Sequence, residues 1–208
     1  MARKTKAESE QTRQDILNAA LELFHDRGYA RTTLEQIARK AGVTRGAIYW
    51  HFKDKVDLFV GLKEEIEDSG GIRLKDLLQM PVASLADIQD GLLRYFNQLE
   101  QDQRFRRYFE TVIFRTEFTD DLVELRDQYQ NRLRSLQQRD EENLRRLQNI
   151  GLVCANVDCV QAALALRALL IGLLHTWLMD SSAFSLSKQG GALIGDYLAG
   201  LKPVEQPG

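Results

Sequence analysis

The stretch from Thr32 to Lys55, TTLEQIARKAGVTRGAIYWHFKDK, admits very few folds. Leu34, Ile37, Ala38 and Ala41 recur at helical spacing and give one helix an apolar face. Thr33 stands just before that face with Gln36 three residues on, which predicts a capping box. Gly42 ends the helix, because glycine takes the left-handed conformation that a chain reversal needs. Thr44 then caps a second helix, RGAIYWH, whose Ala47 and Ile48 can pack back on the first. Arg45, Gly46, Tyr49, Trp50 and His51 are left facing outward. A short helix, a glycine turn and a donor-rich second helix make a helix-turn-helix, shaped to lay its second helix in a major groove.

Net charge is only -2 over 208 residues, so the whole chain is not basic. Its distribution is informative. Residues 1–63 hold twelve Lys/Arg against eight Asp/Glu, and the remainder holds 16 against 22. A basic head on an acidic body suits a chain that meets phosphates at one end. Arg3, Lys4 and Lys6 form either a solvated terminus or an arm that reaches phosphates. The opening MARKTK is not followed by the apolar run of a secretory leader, which predicts a cytoplasmic chain. The run Ala162–Leu174 is interrupted by Arg167 and is too short to span a bilayer, so no membrane partner is expected.

Helical periodicity continues to the end, and no strand-like alternation occurs. The sequence therefore predicts an all-α fold of about nine helices. Residues 1–55 are read as a DNA-binding domain and 56–208 as a second, larger domain. A first helix runs from about Glu8 to Arg27 and ends at Gly28. From Lys55 a longer helix places Val56, Phe59, Leu62 and Ile66 on one face, with Gly70-Gly71 as its stop or hinge. Two helices follow, Leu85 to about Glu100 and Phe105 to Glu117. Eight of the 17 aromatic residues fall between Tyr95 and Tyr129, a concentration that fits either a core or a ring-lined pocket. Asp120-Asp121 are read as opening a long helix with the stripe Leu122, Leu125, Tyr129, Leu133, Leu136, Leu144, Leu147 and Ile150, ended by Gly151. Asp158 opens a helix to Met179 that is apolar nearly all round, which predicts burial on several sides. A last helix spans about Lys188 to Leu201.

Catalytic equipment is missing from the sequence. His25, His51 and His175 lie far apart, and neither an HExxH nor a GxxxxGK string occurs. Cys154 and Cys159 do not have zinc-ligand spacing. The chain is read as neither an enzyme nor a metal or cofactor protein. A DNA-binding interaction protein without an effector is the competing class, and the large aromatic body argues against it.

The string AGVTRGAIYWHFKDK preceded by TTLEQIA, together with MARKTK and EFTDDL, resembles the TetR family of transcriptional repressors. Within that family it is most similar to the branch that controls multidrug efflux pumps (AcrR- and TtgR-like). The resemblance is dense over residues 1–63 and thin beyond. It implies a homodimeric repressor on palindromic double-stranded operator DNA, released by a small lipophilic or cationic inducer. A metabolic signal such as a lipid or acyl thioester is the alternative inducer. It also implies operator contacts from Thr33, Thr44, Tyr49, Trp50, His51 and Lys55 to phosphate and sugar, with Arg45 and Gly46 nearest the base edges. The last two helices of each subunit would form a four-helix interface, for which Leu164, Leu170, Leu174, Trp177, Leu193, Ile194, Tyr197 and Leu198 are candidates. Asp140 and Arg167 interrupt two apolar stripes. They either pair with each other or line a cavity walled by Ile66, Phe96, Phe109, Ile113, Leu136 and Ile171, with Asp140 receiving cationic drugs.

Overall fold

A computed structural model describes residues 5–69, 81–117 and 122–203. Among these residues the protein is all α: nine α-helices, one π turn and no strand. The helices are α1 (Lys6–Arg27), α2 (Leu34–Lys40), α3 (Arg45–His51), α4 (Lys55–Ser69) and α5 (Leu85–Gln101). They continue with α6 (Gln103–Phe114), α7 (Val123–Asn149), α8 (Cys159–Met179) and α9 (Gly191–Ala199). Arg3, Lys4, Gly70-Gly71 and Asp120-Asp121 lie outside the described residues.

The chain divides into two compact units. The first holds residues 1–70 and 104–126, so packing groups α4 and α6 with the helix-turn-helix. Its core is aromatic. Phe24 of α1, Tyr29 of the following turn and Phe59 of α4 sit with ring centroids 5.2–5.4 Å apart. Tyr108 of α6 extends the cluster at 6.4 Å from Phe59. The predicted α4 face is present and wider than read, since Leu58 is also fully buried. Gly61 is required there, because a Cβ would stand 2.8 Å from the Phe52 ring.

Polar ties fix α6 to this core. His25 Nε2 lies 2.7 Å from Glu110 Oε2, and Arg104 Nη1 donates to Glu65 Oε1 at 2.6 Å. At the end of α1, Gly28 takes φ +85. The next N–H, of Tyr29, donates to the Arg115 carbonyl at 2.9 Å. The turn between α1 and α2 is thus bonded directly to the end of α6.

The second unit holds residues 71–103 and 127–208. Ser84 and Asp87 cap α5 reciprocally, and Asp158 caps α8 by accepting from Val160 and Gln161. The turn between α7 and α8 is held by Gln148, whose Nε2 donates to the Cys154 and Val157 carbonyls at 3.0 and 2.9 Å. Both cysteines are free thiols, and burial pushes the Cys159 thiol up, away from the reactive thiolate.

The last helix starts later than its sequence pattern suggests. Leu186–Gly190 winds as a π turn, anchored by Glu100, which accepts from Ser185 Oγ at 2.9 Å and from Ser187 N at 3.2 Å. The small residues beyond it serve close packing inside the subunit. A Cβ on Gly191 would meet Leu93 at 2.3 Å, and one on Gly195 would meet Gln89 at 2.5 Å, so α9 lies against α5 with glycine backbone as its surface. The stripe of α7 is buried at Leu125, Leu136, Leu144 and Leu147, as is Leu122 just before the helix. It is open at Tyr129 and Ile150, which are 41% and 60% exposed.

Candidate functional site

The helix-turn-helix forms as its residues dictate. Thr33 and Gln36 make the reciprocal capping box on α2, and Thr44 Oγ1 accepts from Ala47 N at 3.2 Å to start α3. Between them Gly42 takes φ +68. The Val43 N–H reaches back to the Ala38 carbonyl at 3.0 Å and that of Gly42 to Arg39 at 3.3 Å. This pair of bonds is the Schellman closure, which satisfies carbonyls that a helix end leaves open. Ile37, Ala38 and Ile48 are buried, so the two short helices are locked by their apolar sides.

What remains outside is a polar and aromatic face. Trp50 is 82% and Tyr49 47% exposed, Arg45 and Gly46 are exposed, and His51 is half-buried. Arg45 donates from Nη2 to the Tyr49 hydroxyl at 2.9 Å, with its guanidinium 5.5 Å from the ring centre. That bond pushes the arginine's pKa further up. Tyr49 thereby holds a permanent positive fork, able to engage guanine O6 and N7, at the exposed start of α3. Thr33 and Thr44 are exposed at the two helix starts, where hydroxyls and N–H groups face outward together.

Lys55 differs from its reading as a charge offered to phosphate. Its Nζ donates to the Tyr29 and Thr32 carbonyls at 3.1 and 3.2 Å and sits 4.1 Å from the Tyr29 ring centre. The ammonium closes the turn ahead of α2 and is half-buried. That turn is therefore held from two directions, by the start of α4 through Lys55 and by the end of α6 through Arg115. Sequence reasoning missed this, because Tyr29 and Lys55 are 26 residues apart and carbonyl acceptors leave no side-chain signal.

The residues read as pocket walls fall in both units. Ile66 is fully buried in the core of the first unit, where Phe109 and Ile113 are half-buried. In the second unit Phe96 and Leu136 are buried. Ile171 is not a wall: it is 50% exposed on α8. Asp140 and Arg167 meet, with Arg167 Nε donating to Asp140 Oδ2 at 2.5 Å and each side chain 15% exposed. Burial pushes the Asp140 carboxyl up, and the hydrogen bond and charge of Arg167 oppose it. Of the two readings the sequence left open, the ion pair is the one that forms, and it neutralises the carboxylate read as a receptor for cations.

On α8 the apolar surface separates into two stripes. Cys159, Ala163, Leu166, Leu170, Leu173 and Trp177 face the subunit's own core. Val160, Leu164, Ile171 and Met179 lie on the opposite side and are 39–70% exposed. Leu170 and Trp177, read as interface residues, are thus core. So are Ile194 and Leu198 of α9, which are 0% and 2% exposed. Leu164 and Leu193 are half exposed, and Leu174 and Tyr197 are half-buried. The Tyr197 hydroxyl donates to the Ala162 carbonyl at 2.6 Å and straps α9 to α8. Taken whole, α8 is long and apolar enough to cross a membrane, a length the shorter run Ala162–Leu174 had concealed.

Comparison with known proteins fits this architecture. The model of bacterial regulatory proteins of the tetR family matches residues 16–62, and that of the C-terminal region of MAATS-type transcriptional repressors matches 83–203. The chain belongs to the TetR family. It is 34% identical over 200 residues to the transcriptional regulator AcrR of Shigella flexneri, covering 96% of this chain and 91% of that protein. Among solved structures, the repressor resembles NalD of Pseudomonas aeruginosa, the secondary repressor of the MexAB-OprM multidrug efflux pump. The TM-score is 0.81 at 32% identity, over 95% of this chain and 98% of NalD. It also resembles SmeT of Stenotrophomonas maltophilia in its triclosan complex, with a TM-score of 0.77 at 30% identity over 95% and 100% of the two chains. Proteins of this family are transcriptional regulators rather than enzymes, and they bind operator DNA, typically as dimers, under small-molecule effectors.

Proposed function

We propose that this TetR-type repressor is a cytoplasmic homodimer that binds a palindromic operator of a multidrug efflux operon and is released by neutral lipophilic compounds. The observation that carries this reading is the likeness to NalD and SmeT over 95% of the chain, body as well as head. A shared head alone would support DNA binding and say nothing of the effector. The exposed stripe of α8, with Leu193 of α9, is the surface a second copy would cover. Two copies are needed because one α3 reads only a few base pairs, and two heads about 34–36 Å apart read successive major grooves.

The effector is neutral in this reading because Arg167 already satisfies Asp140. Release follows from the doubly held turn at Tyr29 and Thr32. A change in α4 or α6 that favours the ligand-bound form is felt at α2 through Lys55 and Arg115. Moving the population from about 1:99 to about 99:1 requires a ligand that prefers the released form by roughly 5.5 kcal/mol.

Band-shift titration on the DNA beside the protein's own gene tests the proposal. Triclosan should release the complex at concentrations where tetraphenylphosphonium, a permanent cation, does not. Release by the cation alone would overturn the neutral-effector reading. On the same fragment, Arg45→Ala should lose about 1–3 kcal/mol of preference for operator over random DNA. Equal loss on both DNAs would remove Arg45 from base reading and leave it a phosphate contact.

A further inference from the structure

Among the described residues of the second unit, one buried polar side chain has no hydrogen-bond partner. Gln98 lies on α5, and both ends of its carboxamide, Oε1 and Nε2, are sealed from solvent without a hydrogen-bond partner among the described residues. Other polar groups of α5 are engaged. Gln89 donates to the Gly191 carbonyl at 3.4 Å, Asn97 donates to the Leu93 carbonyl at 2.9 Å, and Glu100 accepts from Ser185 and Ser187. A buried donor or acceptor left unmade is a standing cost to a fold. An apolar residue at position 98 would remove it, yet the chain carries a group with two donors and an acceptor.

The neighbours of Gln98 on the helix define what it could serve. Tyr95, one turn before it, and Leu99, next to it, are 5% and 0% exposed, so the carboxamide lies at the edge of the buried face of α5. Apolar lining with a single neutral polar group is the usual make-up of a small-molecule site, where the polar group fixes orientation. A carboxamide carries no charge to favour a cation or an anion. It can accept from a hydroxyl through Oε1 and donate to an oxygen through Nε2.

We propose that Gln98 is the effector-reading residue of this repressor, hydrogen-bonding the hydroxyl of a neutral phenolic or alcoholic ligand. This rests on the effector reading above and adds to it the group that recognises the ligand and the chemistry it selects. Unbound, the protein bears the cost of the unpartnered carboxamide; bound, the ligand hydroxyl satisfies it. Gln98 is thus a position where stability has been given up for recognition.

The experiment pairs a change in the protein with one in the ligand. Triclosan, a phenol, and its methyl ether, which has lost the O–H, are titrated calorimetrically against the full-length wild type and Gln98→Met. Methionine keeps the length of the side chain without its amide. Wild type should bind triclosan about tenfold more tightly than the ether, the worth of one hydrogen bond to a group otherwise unpaired. Gln98→Met should bind the two alike and melt at a higher temperature than wild type. Persistence of the tenfold preference in Gln98→Met would overturn the assignment, as would equal binding of both compounds by wild type. The wild-type arm needs no variant and stands if Gln98→Met fails to fold. Wild type that binds both compounds equally well and leaves its operator refutes only the role of Gln98, whereas wild type that binds neither refutes the effector reading with it.

Discussion

Leu164→Glu combined with Ile171→Glu will give a folded, monomeric protein that has lost most of its operator affinity. Both residues lie on the outer stripe of α8, 47% and 50% exposed, and neither belongs to the subunit core. In a two-fold interface each substitution occurs twice, so four carboxylates would enter the covered patch. Each lost aliphatic contact removes about 1.5–3 kcal/mol of burial, and each unpaired carboxylate adds a larger desolvation cost. Sedimentation at micromolar concentration should show one subunit, and operator affinity should fall at least about 100-fold because each head then binds alone. Circular dichroism and melting temperature should stay close to wild type. Ile194→Glu is the contrast. Its side chain is wholly buried in the subunit, so it should lower the melting temperature instead of splitting a folded dimer. A dimer that survives Leu164→Glu with Ile171→Glu would place the interface elsewhere.

Breaking the Asp140–Arg167 pair is expected to have the second large effect. Arg167→Met leaves a largely buried carboxylate without its cation, and Asp140→Asn leaves a guanidinium without its anion. Each single change should cost about 3–5 kcal/mol, read as the shift in a denaturant midpoint. Replacing both together by apolar residues should recover most of that loss, because the desolvation cost disappears with the charges. The pH dependence gives an independent check. Burial already holds the Asp140 pKa above its ordinary value, and removal of Arg167 takes away the main influence lowering it. A carboxyl whose folded pKa is raised contributes stability that is present at low pH and lost as pH rises through that pKa. Arg167→Met should therefore be relatively more stable at about pH 5 than at about pH 8, compared with wild type over the same interval. A flat difference between the two proteins would mean that Asp140 is hydrated and the pair structurally idle.

The sequence by itself determined the local features. The capping boxes at Thr33 and Ser84, the left-handed glycines 28, 42 and 151, and the Asp158 cap are properties of a few adjacent residues. Residues three or four apart suffice to specify them, so the capped helix ends and the helix-turn-helix were legible without a fold, whereas the late start of α9 was not. The outward face of α3 was legible for the same reason, since a seven-residue helix with Ala47 and Ile48 on one side can turn only its other residues to solvent. Tertiary structure decided which of two apolar surfaces faces inward. On α8 both the stripe through Leu170 and the one through Ile171 carry large apolar residues, and periodicity alone does not say which is inward. The core took Leu170 and Trp177, leaving Leu164 and Ile171 outside. The glycines of α9 likewise announce a close approach without naming the partner, which is α5 of the same subunit. Lys55 and Gln98 mark the limit most sharply. A lysine is read from sequence as a surface charge and a glutamine as a surface amide. Only the packed chain shows that one is committed to the Tyr29 and Thr32 carbonyls and the other is enclosed without a partner. Hydrogen bonds to backbone, and their absence, depend on distances across the fold that residue spacing does not encode.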